Sequence, residues 1–248
     1  MNINVVNFKD VLKRATLNFS IPSVQLKFEG GKISSSMISE NRDAIVNIDV
    51  DNDVMDGDDV EFNFASPSQN LVPFLGLLDE DDADITIKNE KIILKHGSQK
   101  CNVHFCSPTI VNTFGGKAGR EDIEYFVTMN INETFVENFN KIKKVGSRFG
   151  KVYLTVKDKQ LFIETTDKTN RFSNSLKFKL MDIDMDKDFT MCFDYSNFSN
   201  LMNIVGNREV FKLNIAYIEA QEAGMLYMET EDKSENYYLM SREEAFTS

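Results

Sequence analysis

Two histidines, three cysteines and a set of alternating aspartates are the residues of this chain whose types and spacing could do chemistry. His96, Cys101, His104 and Cys106 lie close together and invite a zinc reading. On a strand, however, side chains alternate, so Cys101 points opposite to His104 and Cys106, whereas tetrahedral zinc needs converging ligands. Asp49, Asp51 and Asp53 have the spacing that opens a calcium loop. Val54 stands where that loop needs glycine and Val60 where it needs glutamate, so the stretch reads as two strands joined at Asp56-Gly57. Gly115-Gly116-Lys117 is a fragment of a phosphate loop that lacks the other glycine of the Walker spacing, position 111 being Val. No Gly-x-Ser-x-Gly occurs, and no nucleophile signature surrounds either histidine. The residues specify no catalytic centre, no metal site and no cofactor, and the chain reads as a non-enzyme.

What remains is the sorting of charge. The 248 residues include 28 Lys and Arg against 39 Asp and Glu, a net charge of −11. From Asn140 to Lys151 there are five bases and no acids, and from Asp43 to Glu61 eight acids and no bases. Asp79-Glu80-Asp81-Asp82 with Asp84 adds a second acidic knot. A charge run is usually a solvated face. Here the bases fall on two long helices in a chain that is otherwise acidic, the distribution expected of a sequence-independent nucleic-acid contact.

Those helices follow from apolar spacing. Phe8, Val11, Leu12 and Ala15 make one face of a helix from Asn7 to about Asn18, with Asn7 as its cap and Lys9, Lys13 and Arg14 off that face. Phe135, Phe139, Ile142 and Phe149 make the stripe of a second helix, about Asn132 to Phe149. Lys141, Lys144 and Arg148 lie opposite that stripe, and Lys143 on its flank. Shorter helices are expected within Ser68–Asp79, its regular part starting at Pro73, and over Tyr195–Val205, capped by Asp194 or Ser196 and stopped by Gly206. Most of the rest alternates as strands do, with hairpin signals such as Gly30-Gly31 and Asp232-Lys233-Ser234 between them. The fold class is α+β with antiparallel sheets. Twenty Phe can build a core, and no apolar run approaches the ~18 residues of a membrane span. The N-terminus lacks the basic and apolar regions of a secretion signal, and three cysteines fit a reducing, cytoplasmic setting.

The elements repeat. Phe8 and Phe135 are 127 positions apart, and the same offset relates Phe74 to Leu201, Leu75 to Met202 and Leu78 to Val205. The chain therefore divides into two similar domains, 1–108 and 124–248, with a connecting linker over 109–123 that is rich in glycine.

In this order of elements the sequence resembles the DNA sliding clamps, the ring-shaped processivity factors of polymerases. It looks most like the clamps of T4-type bacteriophages, and more distantly like proliferating cell nuclear antigen. The stretches that carry the resemblance are Asn70-Leu-Val-Pro-Phe-Leu-Gly-Leu-Leu78, Gly31-Lys-Ile-Ser-Ser-Ser-Met37 and Tyr237-Tyr-Leu-Met240.

The resemblance implies a homotrimeric ring on duplex DNA, opened by an ATP-driven clamp loader and tethering a DNA polymerase, with no membrane partner. It implies DNA-facing roles for Lys9, Lys13, Arg14, Lys141, Lys143, Lys144, Arg148 and Arg208. It implies a partner-peptide pocket of Met37, Ile45, Ile110, Val111, Phe114, Tyr238 and Met240. It also implies subunit contacts through edge strands carrying Lys100, Val103 and Phe105 on one side and Ser173, Leu176 and Phe178 on the other. Two readings compete with it: a monomeric or dimeric viral processivity factor that binds DNA directly, and a non-enzymatic β-rich virion or scaffold protein.

Overall fold

The structure is a computed structural model and describes residues 2–57, 59–78, 82–88, 90–115, 123–168, 172–206, 211–218 and 223–241. The chain falls into two units, Met1–Asn41 with Ile45–Gly116, and Arg42–Ala44 with Lys117–Ser248.

The first unit starts with β1 (Asn2–Asn4) and α1 (Val5–Ala15). The cap of α1 is Asn4, whose Oδ1 accepts the Asn7 N–H at 2.9 Å, not Asn7 as the sequence suggests. The apolar stripe already begins at Val5, which is buried, and Asn7 instead ties its amide to Asp53 O at 3.0 Å and Asp53 Oδ2 at 3.1 Å. The helix also ends earlier than the periodicity predicts. Leu17, Asn18 and Phe19 adopt φ of 50°, 53° and 66°, three successive left-handed residues without a glycine. Each such residue costs about 1–2 kcal/mol. Thr16 holds the turn, donating to Leu12 O at 2.6 Å and accepting from Phe19 N–H at 3.0 Å, while Leu17 is fully buried beneath it.

Four strands follow, β2 (Ser23–Glu29), β3 (Lys32–Ile38), β4 (Ala44–Asp51) and β5 (Val60–Ala65). They lie in the order β5-β2-β3-β4. Two short helices, α2 (Pro67–Asn70) and α3 (Val72–Leu77), stand where one was expected, with a proline in the first turn of each. Then β6 (Asp82–Lys88), β7 (Lys91–His96) and β8 (Gln99–His104) complete the order β1-β6-β7-β8. Between the helices and strands lies a cluster of phenylalanines. Phe62 is 6.4 Å from Phe8, 5.3 Å from Phe28 and 5.5 Å from Phe105, measured between ring centroids. Each fully buried Phe of this kind contributes on the order of 1.5–3 kcal/mol.

The second unit repeats the plan: β9 (Tyr125–Asn130), α4 (Glu133–Gly146), β10 (Lys151–Lys157), β11 (Gln160–Thr165), β12 (Leu176–Asp182), β13 (Phe189–Asp194), α5 (Tyr195–Val205), β14 (Phe211–Ile218), β15 (Ala223–Thr230) and β16 (Glu235–Met240). Its strand orders, β13-β10-β11-β12 and β9-β14-β15-β16, reproduce those of the first unit position for position. Both helix starts match the sequence reading. Asn132 Oδ1 accepts the Phe135 N–H at 2.9 Å, and Asp194 Oδ1 accepts the Asn197 N–H at 3.1 Å. Of the apolar pairs at offset 127, Phe8/Phe135, Leu75/Met202 and Leu78/Val205 are buried on both sides. Phe74 breaks the match, 40% exposed against a fully buried Leu201.

Helices α4 and α5 meet at Gly146 and Tyr195. A Cβ at Gly146 would lie 2.5 and 2.8 Å from two carbons of the Tyr195 ring. Glycine permits this approach, and Tyr195 is fixed by its N–H to Gly150 O and its hydroxyl to Lys143 O, both 3.0 Å. Elsewhere in the unit, Tyr227 stacks on Tyr238 at 4.5 Å and on Tyr125 at 5.9 Å. Burial pushes the Tyr125 phenol up to about 12. No described helix is long and apolar enough to cross a membrane.

Candidate nucleic-acid interface

The exposed face of α1 carries Lys13, with half-buried Lys9 beside it, together with Asp10 and the 54% exposed Val6. Arg14 does not belong to it. It is only 8% exposed, and its Nε lies 2.9 Å from Asp10 Oδ2 one turn back. The helical wheel explains the correction: Arg14 follows Asp10 by four positions and borders the buried Val11, so its stem packs down and its guanidinium is held locally.

In α4 the bases are confined to the last turns. Lys141 and Lys144 are exposed, as is Arg148 just past the helix, which ends at Gly146 and not at the expected Phe149, while Glu133 and Glu137 occupy the same exposed side near the start. Acids at the N-terminus and bases at the C-terminus complement the helix dipole, so part of this sorting serves the helix itself. Lys143 lies on the flank and donates to Asn203 Oδ1 of α5 at 2.6 Å. The Lys141 ammonium lies 3.4 Å from Asn138 Oδ1 and 5.7 Å from the Phe178 ring centroid. Helices α2, α3 and α5 carry no base, and Arg208 falls outside the described residues. Among the described residues, the bases on the helices therefore form two small patches, one at the first helix of each unit.

The residues expected to take a partner peptide separate by environment. In the first unit Met37 is fully buried and accepts the Gln25 N–H on its sulfur at 3.4 Å, and Val111 is 7% exposed, so both serve the core. Ile45 and Phe114 are half-buried and Ile110 is 58% exposed. The start of the expected linker is not irregular. Residues Pro108–Ile110 form a 3-10 turn, Ile38 N–H donates to Asn112 O at 3.0 Å, and Phe114 N–H donates to Ser36 O at 2.9 Å. The chain beyond β8 thus lies along the end of β3, and 116–122 fall outside the described residues. In the second unit Tyr238 is 7% exposed, covered by the Tyr227 ring, while Met240 is half-buried at the end of β16.

Of the residues expected at a subunit contact, β8 and β12 each lie at the end of a strand order, an open edge. Lys100 is exposed on β8, and Leu176 and Phe178 are half-buried on β12. Val103 is 4% exposed, and half-buried Phe105 packs against Phe62 and Phe64, so neither stands out from the surface of the first unit. Ser173 precedes β12 and accepts the Asp167 N–H at 3.2 Å.

Other bases were not anticipated. On the outward side of β10–β12, the Lys168 ammonium lies 4.1 Å from the Tyr153 ring centroid, and Lys177 4.2 Å from that of Phe162. Burial lowers the Lys168 pKa. The alternation of Lys177 and Lys179 in the sequence was a signal for this face. Among the described residues no group of three or more His, Cys, Asp or Glu is placed to hold a metal ion. Cys101 is buried while His104 is exposed, on opposite sides of β8, and burial raises the pKa of both Cys101 and Cys106.

No protein-family model matches the chain, and no curated protein matches it. Solved structures do. A. fulgidus PCNA, in its structure with the C-terminal region of FEN-1 bound, matches with a TM-score of 0.63 at 10% identity, over 97% of this chain and 96% of that one. The Proliferating Cellular Nuclear Antigen of Entamoeba histolytica matches with a TM-score of 0.65 at 13% identity, over 97% of both chains. The DNA polymerase III beta subunit of Thermotoga maritima matches with a TM-score of 0.67 at 8% identity, over all of this chain and 65% of that longer one. Two units of one strand order, each with helices packed on antiparallel sheets, give this chain the DNA sliding-clamp fold.

Proposed function

We propose that the chain is a sliding clamp that encloses duplex DNA as a homotrimer and tethers a replicative polymerase, as in the T4-type bacteriophages its sequence resembles. The observation that carries this reading is the placement of exposed bases. They lie on or just past the first helix of each unit, Lys13 with half-buried Lys9 on α1, and Lys141 and Lys144 on α4 with Arg148 two residues beyond its end, in a chain of net charge −11. Equivalent elements of a duplicated fold therefore carry the same sign against the trend of the whole molecule. Long, mobile ammonium groups suit phosphate contacts that carry no sequence information and that must let the ring slide.

The mechanism is topological and needs no catalytic group. Enclosure holds the polymerase near the template and raises its effective concentration there. Because a closed ring cannot thread onto circular DNA, an ATP-driven loader opens it. Domains of 1–108 and 124–248 joined by 109–123 provide the six segments of such a ring, acting in the host cytoplasm. The A. fulgidus neighbour holds the C-terminal region of FEN-1. We assign the same kind of partner, a short peptide, to the surface of the first unit near Ile45, Ile110 and Phe114.

The test is charge reversal at Lys141, Lys144 and Arg148. We expect loader-dependent processivity on primed circular DNA to fall while the native mass is unchanged. Wild-type processivity in the triple variant would assign these residues to a solvated face and remove the DNA-contact reading.

A further inference from the structure

Strands β8 and β12 each lie at the end of a strand order, so among the described residues each has one open edge. The strand pairs described within the two units are antiparallel, and a join of β12 in one copy to β8 in another would continue that pattern.

The edge of β8 is equipped for it. The Phe105 N–H donates to Glu90 O at 2.8 Å, which fixes the antiparallel alternation with β7. The N–H and C=O groups of Lys100, Asn102 and His104 therefore point away from β7, a row of backbone groups that needs partners. At the C-terminal end of this row lies a cavity of about 280 Å³, lined by Phe64, Leu71, Val103, His104, Phe105 and Cys106. A cavity of roughly 150 Å³ already accepts a benzene ring. Four residues ahead of β12 stands Phe172, 80% exposed, the most exposed large apolar side chain among the described residues. An antiparallel join places the residues ahead of β12 beside the C-terminal end of β8. A parallel join would place them at the other end.

We propose that Phe172 of one copy fills the cavity beside Cys106 in a second copy and anchors the β12-to-β8 join. The proposal rests on the ring reading above and names the residue that closes it. A single aromatic anchor in a pocket, beside a strand pairing that supplies register, is a common distribution of energy at an interface.

The experiment uses the full chain. Native mass is measured by light scattering over a dilution series for the wild type and for Phe172→Ala. In parallel, Phe172→Cys is treated with a short bismaleimide, which adds one thiol to each of its two double bonds and needs no oxidant. Cys101 and Cys192 are buried, which leaves Cys106 as the accessible native thiol.

The wild type is expected at three times 28.4 kDa, with Phe172→Ala dissociating at concentrations at least about 10-fold higher. Phe172→Cys is expected to give cross-linked dimers and trimers that vanish in Phe172→Cys/Cys106→Ser. A wild type at 28.4 kDa at every concentration would end the ring reading, and the anchor with it. A wild-type trimer with unaltered dissociation of Phe172→Ala, or with cross-links that persist without Cys106, would keep the ring and overturn the anchor.

Discussion

Replacing Gly146 by Ala tests how the basic end of α4 is held. Propensity alone favours the change, since Ala is better than Gly by about 1 kcal/mol inside a helix and by less near its end. Packing opposes it. The new Cβ would lie 2.5 and 2.8 Å from two carbons of the Tyr195 ring, where ordinary contact is about 3.5–4.0 Å. The ring must retreat by about 1 Å, yet it is anchored at both ends, by its N–H on Gly150 O and its hydroxyl on Lys143 O. Overpacking of this kind costs about 1–3 kcal/mol, and losing the hydroxyl bond about 1 kcal/mol more. Gly146→Ala should therefore destabilise the protein by about 1–3 kcal/mol net, read as a lower urea midpoint in far-ultraviolet circular dichroism. In a Tyr195→Ala background the obstacle is gone, and the same substitution should become neutral or stabilising. Equal destabilisation in both backgrounds would refute the steric argument, and stabilisation in the wild type would show that the helices part at no cost.

Two further outcomes are expected. Arg14→Gln should leave loader-dependent processivity unchanged, because Arg14 is buried and held by Asp10, whereas Lys13→Glu should lower it; equal losses would place Arg14 at the DNA. In the turn between β15 and β16, Asp232 accepts the hydroxyl of Thr230 at 2.6 Å and the N–H of Ser234 at 3.0 Å, which hold its pKa down to about 2. A depressed carboxylate stabilises the fold above its ordinary pKa near 4 and loses that contribution as pH falls through about 2. Asp232→Asn should therefore melt below the wild type at neutral pH, with the gap closing between pH ~4 and ~2; a gap independent of pH would refute the assignment.

The parts of the fold that were legible in the sequence are those governed by local rules. The helix start near Asn132, the cap Asp194 and the stop at Gly206 depend on short-range hydrogen bonds and spacing, and the structure starts α4 and bounds α5 accordingly. Where tertiary contacts decide, the sequence misleads. Asn7 looks like a cap because it precedes Phe8, but Val5 already faces the core and Asp53, far along the chain, takes the Asn7 amide. The left-handed turn at Leu17–Phe19 has no glycine to announce it, since the burial of Leu17 overrides the backbone preference. Strand β13 does not alternate because Phe189–Phe193 are all buried, so it lacked the period of a half-exposed strand. At the candidate site, helical spacing put Lys13, Lys141 and Lys144 on exposed helix faces, as the structure has them. It failed for Arg14, whose long stem bends back to a neighbour on its own helix. For Met37 and Val111, apolar character could not distinguish a binding wall from core.

The unequal division of aromatic residues sets what light can report about this molecule. The chain has no Trp, and its seven tyrosines, from Tyr125 to Tyr238, all lie in the second unit, whereas the rings clustered around Phe62 in the first are phenylalanines. Tyrosine emission therefore monitors one half of the chain and is blind to the other, while far-ultraviolet circular dichroism reads both. In a denaturant titration, a tyrosine curve that leads the dichroism curve would mean that the second unit melts first, and one that lags it would mean the first. Coincident curves would show that the halves unfold as one body. The sequence thus carries its own spectroscopic label for asking whether a duplicated fold has remained two independent structures.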